Sequence, residues 1–375
     1  MAARWPLATT PPVLQAAWAV AACLMAATPA AAAPQDVLLS AMPERLGESG
    51  HLEASTSRVN RRINFSEPED DPRLAAAAAN GDYRSTQIAG AWQVRDGTWL
   101  SGALWQRQIS DGIDTFRYQG WQLSGLVRVN EPDGVVPAVA LRLSAWGNQA
   151  DVTETTTPVR VPGAILDSVA IARPSDRQWQ LDLIGTWAAA PTLDITGVIG
   201  AGQVQLGYGD LSATTTRNGC RYNLSFNGND IFGTLAEPCT GTGGGVIQQF
   251  FDSSGEYGVD VAKEIAWGGT FLQAGLNASW RQGPWTVRGG MLMHRIQRRA
   301  VDSIAEARGQ RTFKGARLLA LEASHQFHDH LTLLLRLEAS DHLFMADLPV
   351  TYNSSTSSRF GGRFSQATLG LRASF

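Results

Sequence analysis

Long stretches of the chain alternate apolar and polar residues with a period of two. In the last segment, Ala367, Leu369, Leu371, Ala373 and Phe375 interleave with Gln366, Thr368, Gly370, Arg372 and Ser374. A strand puts two such sets on opposite faces. Moving upstream, Leu331, Leu333, Leu335 and Leu337 interleave with Thr332, Arg336 and Glu338, and Leu319, Leu321 and Ala323 with Glu322 and Ser324. Trp285, Val287, Met291 and Met293 interleave with Thr286, Arg288 and His294, and Leu272, Leu276 and Trp280 with Gln273, Asn277 and Ser279. Trp179, Leu181, Leu183 and Trp187 surround Gln180, Asp182 and Thr186. Leu141 and Leu143 flank Arg142, while Trp121, Leu123 and Val127 stand against Gln122, Ser124 and Arg128, and Ile88, Trp92 and Val94 against Gln87 and Gln93. Three segments are weaker: Leu52–Val59 alternates briefly, Trp99–Ile109 fits either phase, and Leu193–Gly209 changes phase near Gly200-Ala201-Gly202, where a bulge would permit it.

The connections alternate as well. Short turns stand at Arg95-Asp96-Gly97, Glu131–Gly134, Ala189–Pro191, Gln282–Pro284 and His328–His330. Asp-Gly and Gly-Pro pairs supply the backbone angles that tight turns need. Between them lie longer connections at about 60–83, 149–176, 209–260, 299–314 and 346–360, with Ser110–Asp114 the short exception. Seven strands precede the 209–260 connection and five follow it, which predicts an even total of about twelve and both termini at one end. Trp92, Trp99, Trp187, Trp280 and Trp285 fall beside the short turns, and Trp105, Trp121 and Trp179 near the opposite strand ends, as two interfacial belts would require.

Composition narrows the class. Only 17% of residues are charged and the net charge is −3, so no basic field invites nucleic acid. Residues 1–32 read as a secretory signal: Arg4, an apolar stretch from Val13 to Ala27, and small residues before a cut near Ala32. A lipoprotein cut before Cys23 is the rival reading, disfavoured because the residues after it stay apolar. Residues 33–50 then form an N-terminal periplasmic segment, and 51–375 the barrel with its loops. In the mature chain no apolar run is long enough for a transmembrane helix.

A terminal Phe375 closing an alternating strand, behind a signal peptide, resembles the C-terminal signature of outer-membrane β-barrels of Gram-negative bacteria. The resemblance implies an all-β fold, a transmembrane antiparallel up-and-down barrel, placed in the outer membrane. It implies assembly machinery that reads Phe375, and outer-membrane lipid and lipopolysaccharide as surroundings.

Candidate chemistry lies in the expected lumen. Arg128, Arg142, Arg288, Arg336 and Arg372 point inward with Asp182, Glu322 and Glu338. They read either as mutual struts or as a polar constriction for small solutes, and a narrow channel is the leading functional expectation. Cys220 and Cys239, an even pair in an exported chain, predict a disulfide worth about 3 kcal/mol. It would tie off Arg221–Pro238 and suits the second expectation, a surface-interaction protein. Gly241–Gly245 lacks the lysine of a phosphate-binding loop and reads as flexible. His325 with His328 or His330 is a weak metal spacing, better read as a solvated turn, and no nucleophilic serine motif accompanies it. No cofactor, metal or catalytic role is expected. A lipid-modifying enzyme centred on His325 is the least favoured reading. Pro34–Gly50 is a candidate lumen plug, and Leu74–Ala79 a candidate short helix.

Overall fold

A computed structural model of the chain describes residues 49–59, 82–110, 113–130, 136–156, 158–161, 164–240, 246–257, 259–342, 348–360 and 364–375. The signal segment, nearly all of the proposed plug, the Leu74–Ala79 helix and Gly241–Gly245 lie outside these residues.

Twelve strands close on themselves into one antiparallel barrel. In chain order they are β1 (Gly50–Val59), β2 (Asp82–Arg95), β3 (Thr98–Ser110), β4 (Thr115–Arg128) and β5 (Ala138–Gln149), then β10 (Ser175–Ala190) and β11 (Leu193–Gly207). The wall is completed by β16 (Gly268–Gln282), β17 (Trp285–Arg298), β18 (Gly315–His328), β19 (Leu331–Ser340) and β20 (Phe364–Ser374). The intervening numbers belong to strands outside the wall. Closure is made by β1 against β20, in register from His51↔Ser374 to Val59↔Gln366. Gly50 and Phe375 extend the ladder by exchanging two backbone hydrogen bonds of 3.0 Å, and Ser49 Oγ donates to the Phe375 carbonyl at 2.5 Å. The Phe375 ring lies across Gly50, where a Cβ would collide with it.

Three expectations need correction. Trp99 and Trp105 do not belong to the aromatic belts: β3 turns Trp99, Ala103, Trp105, Arg107 and Ile109 into the barrel and gives Leu100 and Leu104 to the outside. The ambiguous phase of this strand reflects an interior that accepts indole as readily as the lipid face does. β11 also keeps one phase. It pairs with β10 from Ser175↔Gly207 to Ala188↔Asp194, and with β16 throughout, without a bulge. Beyond Gly200 its outward residues are Gln203 and Gln205, and its inward ones Val204 and Leu206, both buried. The wall here has risen out of the bilayer, so the pattern reverses from apolar-out to the apolar-in order of a water-soluble protein. The apparent phase change is that reversal.

Thirdly, the 209–260 segment is largely structured. Above the rim, β6 (Val152–Thr155), β9 (Ser168–Ala172), β12 (Leu211–Arg217), β13 (Cys220–Asn227), β14 (Asp230–Leu235) and β15 (Gln249–Ser253) form one sheet, in the order β15-β14-β13-β12-β9-β6. β7 (Val159–Val161) and β8 (Ala164–Leu166) make a small separate hairpin. β6, β9 and β12 stand on the ends of β5, β10 and β11, so the sheet continues one side of the barrel wall and widens it by three strands. The β12–β13 turn is Asn218-Gly219, both with positive φ, as a two-residue hairpin turn requires. One face of the sheet buries Ala213, Tyr222, Leu224 and Ile231 around the Cys220–Cys239 disulfide.

Replacing Cys220 and Cys239 together by Ser is expected to cost the sheet up to about 3 kcal/mol. Limited proteolysis should then cut within 208–267 faster while the barrel keeps its heat-modifiable gel mobility; equal cutting rates would argue that the hairpin turns alone hold the sheet.

Candidate functional site

The charged residues expected inside sit in separate clusters along the wall, each fixed by strand register. Asp182 on β10 lies directly opposite Arg142 on β5. Arg142 donates to Asp182 Oδ2 through Nε at 3.1 Å and Nη2 at 2.9 Å, and Gln180 and Gln273 donate to Oδ1 at 2.6 and 3.1 Å. Gly200, opposite on β11, leaves the room that the Asp182 carboxylate fills. On the far wall Glu322 faces Arg288 on one neighbouring strand and Arg336 on the other. Arg336 Nε and Nη2 reach Glu322 Oε2 at 3.0 and 2.7 Å, and Arg288 Nε stands 3.8 Å from Oε1. Arg372 donates to Glu53 on β1 at 3.2 and 2.8 Å. All of these charged residues are buried. Arg128 is different: half-buried, it bonds Asp96 at 3.3 Å and braces the β2–β3 turn. Glu338, also half-buried, accepts from Gln366 at 3.3 Å. Beside the ionic clusters Trp99, Leu126, Ala140, Ile184, Val198, Leu292, Leu318 and Ala320 form an apolar core inside the barrel.

The mouth opposite the short turns is covered. Helices α1 (Val261–Ile265) and α2 (Val301–Ala307) and the segment 348–360 lie over a core of Tyr83, Trp105, Ile109, Tyr118, Trp146, Phe271 and Ile296. Trp267 Nε1 donates to the Tyr352 carbonyl at 2.8 Å. Arg298 stacks 3.7 Å from the Tyr352 ring centre and donates to Asp302 at 3.1 Å, and the Tyr352 hydroxyl donates to Asp302 at 2.7 Å. Burial holds that phenol above its ordinary pKa, which keeps it a donor. A second clasp joins the three covering segments: Arg308 grips Glu264 with two bonds of 2.7 and 2.6 Å, and Ser354 bonds the same carboxylate.

The six-stranded sheet is moored to this rim. Asp114 accepts from Thr155 Oγ1 at 2.9 Å and from Thr156 N and Oγ1 at 3.0 and 2.8 Å. The sheet face away from its core carries Asn223, Ser225, Thr234 and Gln249, all exposed. Phe232 and Phe251 share that face, edge to face at 5.1 Å and 44% and 64% exposed.

Outside the barrel every strand contributes exposed apolar residues to an unbroken ring: Leu52, Ile88, Leu104, Leu123, Leu143, Leu181, Ile199, Leu272, Met293, Leu319, Leu335 and Leu369. Trp92, Trp121, Trp179, Trp187, Trp280 and Trp285 are likewise exposed. An apolar ring of this extent is stable only against hydrocarbon. The chain is an outer-membrane β-barrel. No protein-family model and no curated protein matches the chain. Among solved structures this barrel is similar to the translocator domain of the autotransporter NalP from Neisseria meningitidis, with 10% identity over 97% of this chain and 99% of that one, and a TM-score of 0.49. It is also similar to LpxR from Salmonella typhimurium (9% identity, 87% and 100% covered, TM-score 0.39). The outer membrane phospholipase A from Escherichia coli gives 8% identity, 86% and 92% coverage and a TM-score of 0.33. Likeness this remote carries no argument about activity.

Sequence reasoning missed the sheet face and Glu53. Glu53 alternates with Leu52 and Ala54 in a strand whose brief pattern hid it. The sheet announced itself through Asn218-Gly219, with Leu211 and Ala213 before the pair and Tyr222, Leu224 and Phe226 after it.

Asp182→Asn is expected to destabilise the barrel by about 3–5 kcal/mol, because it strands the Arg142 charge in the lumen. Urea unfolding followed by gel mobility would measure this. Replacing both Asp182 and Arg142 by Leu should recover part of the loss; a double variant as weak as the single one would argue against an ion-pair strut.

Proposed function

We propose that the protein is a closed, non-enzymatic outer-membrane barrel that holds a recognition sheet above the cell surface. The observation that carries the reading is the exposed Phe232–Phe251 pair on a polar sheet face whose opposite face has its own core. A soluble sheet gains nothing by keeping two phenyl rings in water. Covering one is worth about 2–3 kcal/mol to a bound partner, and the surrounding Asn223, Ser225, Thr234 and Gln249 supply donors and acceptors to orient it. The buried state of Arg142, Asp182, Glu322, Arg336 and Arg372, each held by an opposite charge, supports struts over a water path.

The competing reading, a narrow channel for small polar solutes, rests on the same arginine-rich interior and separates cleanly. In planar bilayers the folded wild-type protein is expected to give no steady conductance. Cells producing it are expected to attach to at least one of a panel of glycan- and protein-coated surfaces. Attachment should fall about tenfold in F232S/F251S, consistent with losing two aromatic anchors. Discrete conductance steps, together with attachment indifferent to the two phenylalanines, would move the assignment to the channel.

A further inference from the structure

The outer surface of the barrel carries a second feature, independent of the sheet. On four adjacent strands one cross-strand row reads Arg58, Arg84, Gln108 and Arg117: Arg58 stands directly opposite Arg84, Arg84 opposite Gln108, and Gln108 opposite Arg117. Burial alternation places this row on the lipid-facing side of the wall, and all three arginines are exposed. The row spans three interstrand gaps, about 14 Å.

Like charges directly opposite each other in a ladder are unfavourable. Asp82 relieves the row only in part. It takes Arg84 Nε at 3.0 Å, with both side chains about half exposed. Among the described residues three guanidiniums then stand against one carboxylate, which leaves the row net positive.

Its height on the barrel says what neutralises it. Two residues along each strand toward the periplasm the row is Thr56, Thr86, Gln106 and Gln119; two residues further it is Ala54, Ile88, Leu104 and Trp121, the top of the apolar ring. The arginines therefore stand four residues, about 13 Å along the strands, above the last apolar row. That is the depth of the headgroups of the outer leaflet. The periplasmic ends of the same strands offer Trp92, Val94, Leu100 and Val127 outward, with Arg95 turned to Thr98. The positive row thus belongs to one leaflet only.

We propose that Arg58, Arg84 and Arg117 form a binding site for the phosphate groups of a phosphorylated outer-leaflet glycolipid, whose acyl chains lie on the apolar row beneath. Guanidinium matches phosphate oxygens in bidentate pairs, and the opposed arginines then share an anion between them. In the polar row between, the exposed Thr56, Gln106 and Gln119 supply hydrogen bonds to the sugar between phosphate and chains.

The test uses the full-length protein purified in detergent micelles and titrated with diphosphorylated lipid A, bound lipid being counted by native mass spectrometry. Wild-type protein is expected to retain the lipid. R58Q/R84Q/R117Q should retain it about tenfold less tightly, and R58K/R84K/R117K, which keeps the charge, should lie between the two. Dephosphorylated lipid A should bind wild type no better than diphosphorylated lipid A binds the triple Gln variant. Gel mobility reports folding; if the triple Gln variant fails to fold, R58Q alone, which removes one of the two opposed charges, should weaken retention about threefold. Equal retention by wild type and the folded Gln variant overturns the proposal. So does full competition by inorganic phosphate at the lipid's own concentration, which would make the row a site for the free anion.

Discussion

Everything in this molecule follows from one requirement: inside hydrocarbon no backbone N–H or C=O can be left unpaired. A sheet meets that requirement only by having no edge, and here the edge is abolished where β1 meets β20. The last residue takes part in the seam, since Phe375 exchanges both of its backbone bonds with Gly50. Once the ring is closed, the period of two divides every strand between lipid and lumen. The placement of almost every side chain is then settled by register.

Closure creates the opposite difficulty inside. The inward face of each strand had to be polar enough not to read as a second lipid face, yet the enclosed space is narrow. The barrel resolves this with charges that cancel in place. Arg142 meets Asp182, Glu322 stands between Arg288 and Arg336, and Arg372 meets Glu53, all across neighbouring strands. An apolar core runs between these clusters. Above the bilayer the constraint relaxes. The inside becomes a conventional aromatic core under α1, α2 and the Trp267–Tyr352 contact, while the outside turns to glutamine and arginine.

The barrel was legible in the sequence because lipid and lumen impose opposite chemistries on alternate residues. Strand number and the inward placement of Arg142, Asp182, Arg288, Glu322, Arg336 and Arg372 could be read that way; the cysteine pair could be read from its even count. Where the contrast between faces fades, reading failed. Trp99 and Trp105 fit either face by hydrophobicity, and only pairing with β2 and β4 decides. The reversal at Val204 and Leu206 looked like a slipped strand, because alternation alone does not say where the bilayer ends. The sheet above the rim is hard to tell from loop in the sequence because its strands are short and its exposed face is mostly hydroxyl and amide. Arg58, Arg84 and Arg117 are far apart in sequence and meet only through register.

The six-stranded sheet is not hung from the barrel by a linker. β6, β9 and β12 stand on β5, β10 and β11, and Asp114 moors Thr155 and Thr156 at the end of β6. A tug on the sheet is therefore carried along strand axes into the wall, where it loads many interstrand hydrogen bonds in shear at once. The β13–β14 hairpin, which has no strand of the wall beneath it, is the part bridged by the Cys220–Cys239 covalent bond. The arrangement is that of a mast stepped into a hull, with load shared across the wall and not borne by a tether.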